Sequence, residues 1–241
     1  MGLVADHGGA MTTTLITGAN KGLGYETARR LVAEGHTVFL GSRDPERGHR
    51  AAGELGATFV QLDTTDDASV SAAVETIRAA GGLDVLVNNA GIEERAEDNS
   101  VIGPADVTAD IMREVFDVNV FGTVRVTHAC LPLLQASPAP VIVVVSSGLA
   151  SLSVMSAFDF YPGVAYPASK AALNMVVVQF AKAFPQMRIN AVEPGFTKTD
   201  LNGNTGTQTV AEGAEVIVRT ALLGPDGPTG TYAAAAGPID W

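Results

Sequence analysis

The chain has 241 residues, 46% of them hydrophobic, which is enough for a packed core, yet no apolar run reaches the length needed to cross a bilayer. Its 26 acidic residues against 15 basic ones give a net charge of -11, which argues against a surface for nucleic acid or for an anionic membrane. A single cysteine, Cys130, rules out an internal disulfide and fits a reducing, cytoplasmic setting, and His7, His36, His49 and His128 are scattered without a metal-ligand spacing.

The opening Met1 to Ala10 is Gly-rich, lacks a hydrophobic core, and is expected to be a disordered leader, leaving residues 11–241 as one domain. Thr12 to Thr17 is a short β-branched run that ends in a glycine turn, and Tyr25 to Glu34 carries Ala28, Leu31 and Val32 in helical spacing. A strand follows at His36 to Gly41, then a helix at Pro45 to Leu55 with Asp44 as N-cap and Pro45 in its first position. Thr58 to Leu62 reads as the next strand, and Asp66 or Asp67 can cap a helix that ends near Ala80.

Leu83 to Val87 and Val141 to Val145 are near-continuous apolar strands of the kind buried on both faces, and between them Ala109 to Leu134 is one long amphipathic helical region. Ala168 to Ala183 reads as a helix, Arg188 to Val192 as a strand, Val210 to Leu222 as a helix and Gly230 to Ala234 as a last short strand. The tail from Tyr232 to Trp241 fits a packed terminus without a functional reading. Strands alternating with helices imply right-handed crossovers and an α/β fold of the Rossmann type: a doubly wound parallel sheet with helices on both faces. Ligands are expected at the carboxyl ends of its strands.

Two motifs stand out. In Thr17-Gly-Ala-Asn-Lys-Gly-Leu-Gly24 the glycines allow a tight turn, a close approach of backbone N–H groups to a pyrophosphate, and close packing of the next helix, whose N-terminus adds a positive dipole end. In Tyr166-Pro-Ala-Ser-Lys170 the tyrosine and lysine are four residues apart, on one face of a helix and within reach of one ligand. Pro167 biases Tyr166 away from helical backbone and toward the helix entry.

These motifs, in this order and with the segments between them, resemble the short-chain dehydrogenase/reductase family over essentially all of Met11 to Trp241. The resemblance implies a cofactor cradle of Gly18, Asn20, Lys21, Gly22, Leu23 and Gly24, with Asp63 and Thr64 at the adenine and with Asn89, Ala90 and Gly91 of Asn88-Asn-Ala-Gly91 near the adenosine ribose. Where the family places an acid for NAD this chain has Ser42 followed by Arg43, and Arg43 with Lys21 can hold a 2'-phosphate, so NADP(H) is the expected cofactor. Pro194, Gly195, Thr197 and Thr199 would face the nicotinamide carboxamide.

By the same resemblance Tyr166 is the proton donor, Lys170 favours its phenolate and grips the nicotinamide ribose, Ser147 holds the substrate oxygen, and Asn119 orders water beside the lysine. Ser146 is the structural member of its pair. Substrate loops are expected near 92–106, 148–165 and 196–210. The segment between Ser147 and Tyr166 is longer than is common in the family and is read as a loop. Leu149, Phe158, Phe160, Phe196 and Leu201 would make its pocket apolar, suited to a hydrophobic ketone or aldehyde. The implied activity is NADPH-dependent reduction of a small-molecule carbonyl, in a homodimer or homotetramer built on the long helices. The alternative is a non-catalytic NADPH-binding regulator of the same fold.

Overall fold

The computed structural model describes residues 11–157 and 161–241; the expected leader and the pocket candidates Phe158 and Phe160 lie outside the described residues. In chain order the elements are β1 (Thr13–Ile16), α1 (Gly22–Ala33), β2 (Thr37–Ser42), α2 (Pro45–Leu55), β3 (Thr58–Gln61), α3 (Asp67–Ala79), β4 (Val85–Asn88) and α4 (Ala109–Phe116). There follow α5 (Thr123–Ala136), β5 (Val141–Val145), α6 (Leu152–Ala157), α7 (Ala165–Ala183), β6 (Arg188–Glu193), α8 (Val210–Ala221), β7 (Tyr232–Ala234) and β8 (Gly237–Pro238). The strands form one sheet in the order β3-β2-β1-β4-β5-β6-β7-β8, parallel from β3 to β7, with β8 antiparallel to β7.

Because successive side chains of a strand point to opposite faces, each apolar strand feeds two cores. Leu15, Leu86, Ile142 and Ile189 join Val74 of α3, Cys130 of α5 and Leu173 of α7 on one face. Ile16, Val87, Val143 and Val192 join Leu31 of α1, Ala52 of α2 and Ile217 of α8 on the other. Burial alone holds the Cys130 thiol up near 12, so it serves as an apolar filler. Among the described residues no helix is long and apolar enough to cross a membrane.

The helix ends follow local chemistry. Asp44 accepts a hydrogen bond from Arg47 N at 3.0 Å, Pro45 opens α2, and Gly56 closes it in the left-handed region. Asp66, of the two aspartates considered, caps α3 by accepting from Ala68 N at 2.8 Å.

Several local details differ from expectation or add to it. Helix α1 begins at Gly22, so the end of the glycine turn is already its first turn. Helix α7 begins at Ala165, placing Tyr166 within the first turn; Pro167 is tolerated because a first-turn N–H has no intrahelical partner to lose. The region expected as one helix is interrupted at Asp117–Gly122 by a π-helical turn. The segment after Ser151, expected as loop, contains α6, and the tail folds back as β8, with Trp241 stacked on Tyr232 at 5.4 Å.

The winding reverses between β1 and β4, opening a crevice at their carboxyl ends. Thr17, 1% exposed, closes the bottom of that crevice: its Oγ1 accepts from Asn89 N at 3.0 Å and from Ala90 N at 2.9 Å. Asn89 returns two bonds, its Nδ2 donating to Thr17 O and Gly18 O. Thr17→Val keeps the shape and leaves both N–H groups without this partner. It is expected to destabilise the fold by about 1–3 kcal/mol in denaturant unfolding, with Thr17→Ser close to the parent; equal stability of the valine variant would refute the role of this clasp.

Candidate active site

A cleft of about 880 Å³ runs along the carboxyl ends of the strands, from the glycine turn to Tyr166. At its first end Gly18 and Gly22 have φ of 63° and 57°, the left-handed region that favours glycine. Gly24 is required by proximity: a Cβ there would lie 2.6 Å from Asn89 Nδ2 and 2.7 Å from Gly18 O. Asn20, Lys21 and Leu23 line the cleft beside them, as do Arg43, Asp63 and Thr64.

Hydrogen bonds from Thr65 N and Oγ1, and then the Arg43 and Arg125 guanidiniums, hold the Asp63 carboxyl below its ordinary range. Ser42 is not among the residues lining this cleft. Its hydroxyl is buried and bonded to the backbone of Asp44, donating to O and accepting from N, so it shapes the turn that presents Arg43. Lys21 reaches across the opening to Asp200, with Nζ 2.7 Å from Oδ2 and both side chains exposed.

At the other end Lys170 is 3% exposed, donates from Nζ to Val145 O at 2.8 Å, and sits 5.5 Å from the centre of the Tyr166 ring. Burial lowers its pKa to about 8. The Tyr166 phenol is pushed well above its usual value, first by burial and then by the Glu93 charge; a hydrogen bond with Ser147 opposes this, and Glu193 adds to it. Ser147 lies two residues beyond the end of β5, and its Oγ also accepts from Leu149 N at 3.3 Å. The carbonyl of Ser147 is held from below by the Tyr232 hydroxyl, while Ser146 is turned away and donates to Asn174 Oδ1 at 2.7 Å.

Asn119 is fully buried in the π-helical turn. Its Oδ1 accepts from Ile92 N at 2.8 Å and its Nδ2 donates to Ile92 O at 2.9 Å and to Ser169 Oγ at 3.0 Å. The carboxamide therefore has both N–H groups committed to protein and acts as a brace between Ile92 and α7, rather than as a free donor to water. A Cβ built on Gly91 would fall 3.3 Å from Asn119 Oδ1 and 3.5 Å from Lys170 Nζ, so the missing side chain leaves the cradle open beside the ammonium.

The opposite lip is the segment after β6. Glu193 is raised by burial although it accepts from Gly195 N at 2.8 Å. Gly195 has φ of 82°, Thr197 is buried with Oγ1 3.1 Å from Gly195 O, and Asn202 Nδ2 donates to Thr197 O, so Pro194 to Asn202 is a folded lip. Thr199, Phe196, Leu201 and Leu149 line the cleft with it.

On the substrate side the wall also contains Glu93, Arg95 and Tyr161, a group that sequence reasoning missed. Arg95 Nη2 lies 2.9 Å from Glu93 Oε2, and the Tyr161 hydroxyl donates to Glu93 Oε1 at 2.5 Å. The run Glu93-Glu94-Arg95 directly after Gly91-Ile92 carried some signal, but its tyrosine partner is 68 positions away.

The short chain dehydrogenase family model matches residues 12–210. The chain is 34% identical to (+)-neomenthol dehydrogenase of Capsicum annuum, over 90% of this chain and 94% of the relative. Its fold superposes on salutaridine reductase from Papaver somniferum with a TM-score of 0.81 at 30% identity, covering 92% of this chain and 99% of that one. On NADPH-bound carbonyl reductase from chicken fatty liver the TM-score is 0.84 at 26% identity, covering 96% and 99%.

The buried ammonium has a consequence for stability. The folded-state pKa of Lys170, about 8, lies below the ordinary 10.5, so burying the charged form destabilises the fold fully below about pH 8. That penalty fades as pH rises toward the unfolded value. Lys170→Met is expected to raise the unfolding temperature at neutral pH by roughly 2–8 °C, with the gap closing near about pH 10. A variant no more stable than the parent at neutral pH would contradict this account.

Proposed function

This chain is a member of the short-chain dehydrogenase family, and we propose that it reduces a ketone or aldehyde to an alcohol with NADPH, Tyr166 supplying the proton. The observation that carries the reading is the placing of the Tyr166 phenol between the Lys170 ammonium and the Ser147 hydroxyl at one end of a cleft whose other end is the glycine turn. The left-handed glycines and the open cradle at Gly91 suit a dinucleotide lying along the strand ends.

When bound, the nicotinamide supplies a hydride to the carbonyl carbon. Ser147 orients the carbonyl oxygen toward Tyr166, and Tyr166 gives its proton to that oxygen as negative charge develops there. Burial and the two carboxylates keep the phenol protonated at neutral pH, while the Lys170 charge stabilises the phenolate left behind. A protonated phenol is the form that reduction requires, and oxidation of the alcohol is the reverse.

Arg43 is the group assigned to the 2'-phosphate, since it lines the cleft with its side chain exposed and the preceding position carries a buried serine instead of an acid. Lys21 is its second cation. The Lys21–Asp200 pair is exposed and worth at most about 1 kcal/mol, so a phosphate can take the lysine over. Self-association is assigned to the face carrying Phe121 and Met175, both exposed.

The test is oxidation of NADPH and NADH by the purified protein over a panel of aliphatic, aryl and diketone substrates. Turnover is expected with NADPH, reduced about 10²–10⁴-fold in Tyr166→Phe, which should still bind NADPH. Arg43→Ala is expected to lower the NADPH to NADH ratio of kcat/KM by about 10–100-fold, the equivalent of one charge-assisted hydrogen bond. Tight NADPH binding without turnover on any carbonyl would replace this reading with the regulatory one.

A further inference from the structure

Glu93, Arg95 and Tyr161 form a cluster in the substrate wall, of which the proton transfer draws only on the Glu93 charge. The Glu93 side chain is 5% exposed and that of Arg95 16%, so this is an ion pair largely withdrawn from water, and Arg95 Nε adds a second contact to Glu93 Oε2 at 3.2 Å. Replacing such a pair by apolar residues is commonly neutral or stabilising, so fold stability gives little reason for it here. All three residues line the cleft that also holds Tyr166 and Ser147, and the Glu93 charge is felt at the Tyr166 phenol.

Among the described residues the hydrogen-bonding capacity of this cleft-lining cluster is only partly used. Arg95 uses Nε and one Nη2 N–H on Glu93 and one Nη1 N–H on Asn99 O, which leaves two N–H groups over among the described residues. On Glu93, Oε2 is filled by the two N–H groups of Arg95, while Oε1, with one bond from Tyr161, retains an accepting site. The spare capacity is thus donors on Arg95 and an acceptor on Glu93 within one ion pair, in a cleft whose lining also includes the apolar Ile92, Leu149 and Val154. A hydroxyl satisfies both at once, donating to the carboxylate and accepting from the guanidinium, whereas a carbonyl can only accept and a hydrocarbon does neither.

We propose that the substrate is a hydroxyketone, whose hydroxyl, apart from the reacting carbonyl, is held by Glu93 and Arg95 with Tyr161 fixing the carboxylate. The inference rests on the reductase reading above and revises its expected hydrophobic substrate. A site built to hydrogen-bond a hydroxyl discriminates strongly against the analogue that lacks it, because its buried polar groups are then stripped of water and left unpaired.

The experiment compares kcat/KM with NADPH for matched pairs: cyclic and open-chain ketones, the same ketones bearing a hydroxyl at each successive position, and the corresponding diones. In the parent protein at least one hydroxyketone is expected to exceed its parent ketone by about 100-fold. Glu93→Gln and Tyr161→Phe are each expected to reduce that ratio by about tenfold or more. The ratio within one variant is the readout, so a general loss of activity cancels, and NADPH affinity reports independently that each variant is folded. A ratio near one at every position, a ratio unchanged in both variants, or a dione preferred over every hydroxyketone overturns the proposal while leaving the reductase intact. No turnover of any carbonyl by the parent protein overturns the reductase reading and this inference with it.

Discussion

Strands β1 and β4 are far apart in the chain yet must end side by side, and the site depends on the hydrogen bonds that join those ends. Thr17 receives the backbone of residues 89 and 90, and Asn89 returns two bonds to the glycine turn. From that clasp the chain passes through Gly91 to Ile92, which Asn119 grips by both backbone groups. Asn119 also binds Ser169, the neighbour of Lys170. A continuous set of buried bonds therefore ties the floor of the cofactor end to the helix carrying Tyr166 and Lys170. A buried polar network of this kind specifies geometry so long as every member is satisfied.

The π-helical turn at Asp117–Gly122 belongs to the same network. A π turn is rare because it departs from the favourable α-helical bonding, and it recurs at functional sites. Here it carries Asn119, whose carboxamide meets Ile92 and Ser169, and it brings Gly122 against Thr64, where a Cβ would stand 2.8 Å from the threonine oxygen. Around Tyr166 the fold accepts a second local disadvantage, an ammonium with a single backbone partner and two carboxylates close to a phenol. Burial first, and then the Glu93 and Glu193 charges, keep the phenol protonated, while burial lowers the pKa of the ammonium.

Much of the architecture was legible in the chain because it rests on short-range chemistry. The run Val141 to Val145 became β5 because it is apolar at every position, and Asp44 with Pro45 marked the start of α2 by a cap and a fixed φ. The π-helical turn escaped because one extra residue per turn barely disturbs an amphipathic pattern. Helix α6 escaped because six residues are too few for a periodic signal, and Ser42 looked like a cofactor contact because strand alternation cannot tell which hydroxyl turns back to cap its own loop. At the site, motifs brought Tyr166, Lys170, Ser147 and the glycine turn into one cleft. The group formed by Glu93, Arg95 and Tyr161 depends on a contact between two loops, which no local pattern records.

The edge of the sheet at β8 has a consequence for how this molecule behaves in a crowd. A parallel sheet that stopped at β7 would expose a row of unpaired backbone groups, a template on which another chain could grow. Instead the tail doubles back for two residues, and the second, Pro238, has no N–H to offer. Ile239 N bonds back to Tyr232 O, and Trp241 covers the Tyr232 ring. The tail is thus a stopper against edge-to-edge polymerisation, and it protects the strand whose tyrosine supports the carbonyl of Ser147.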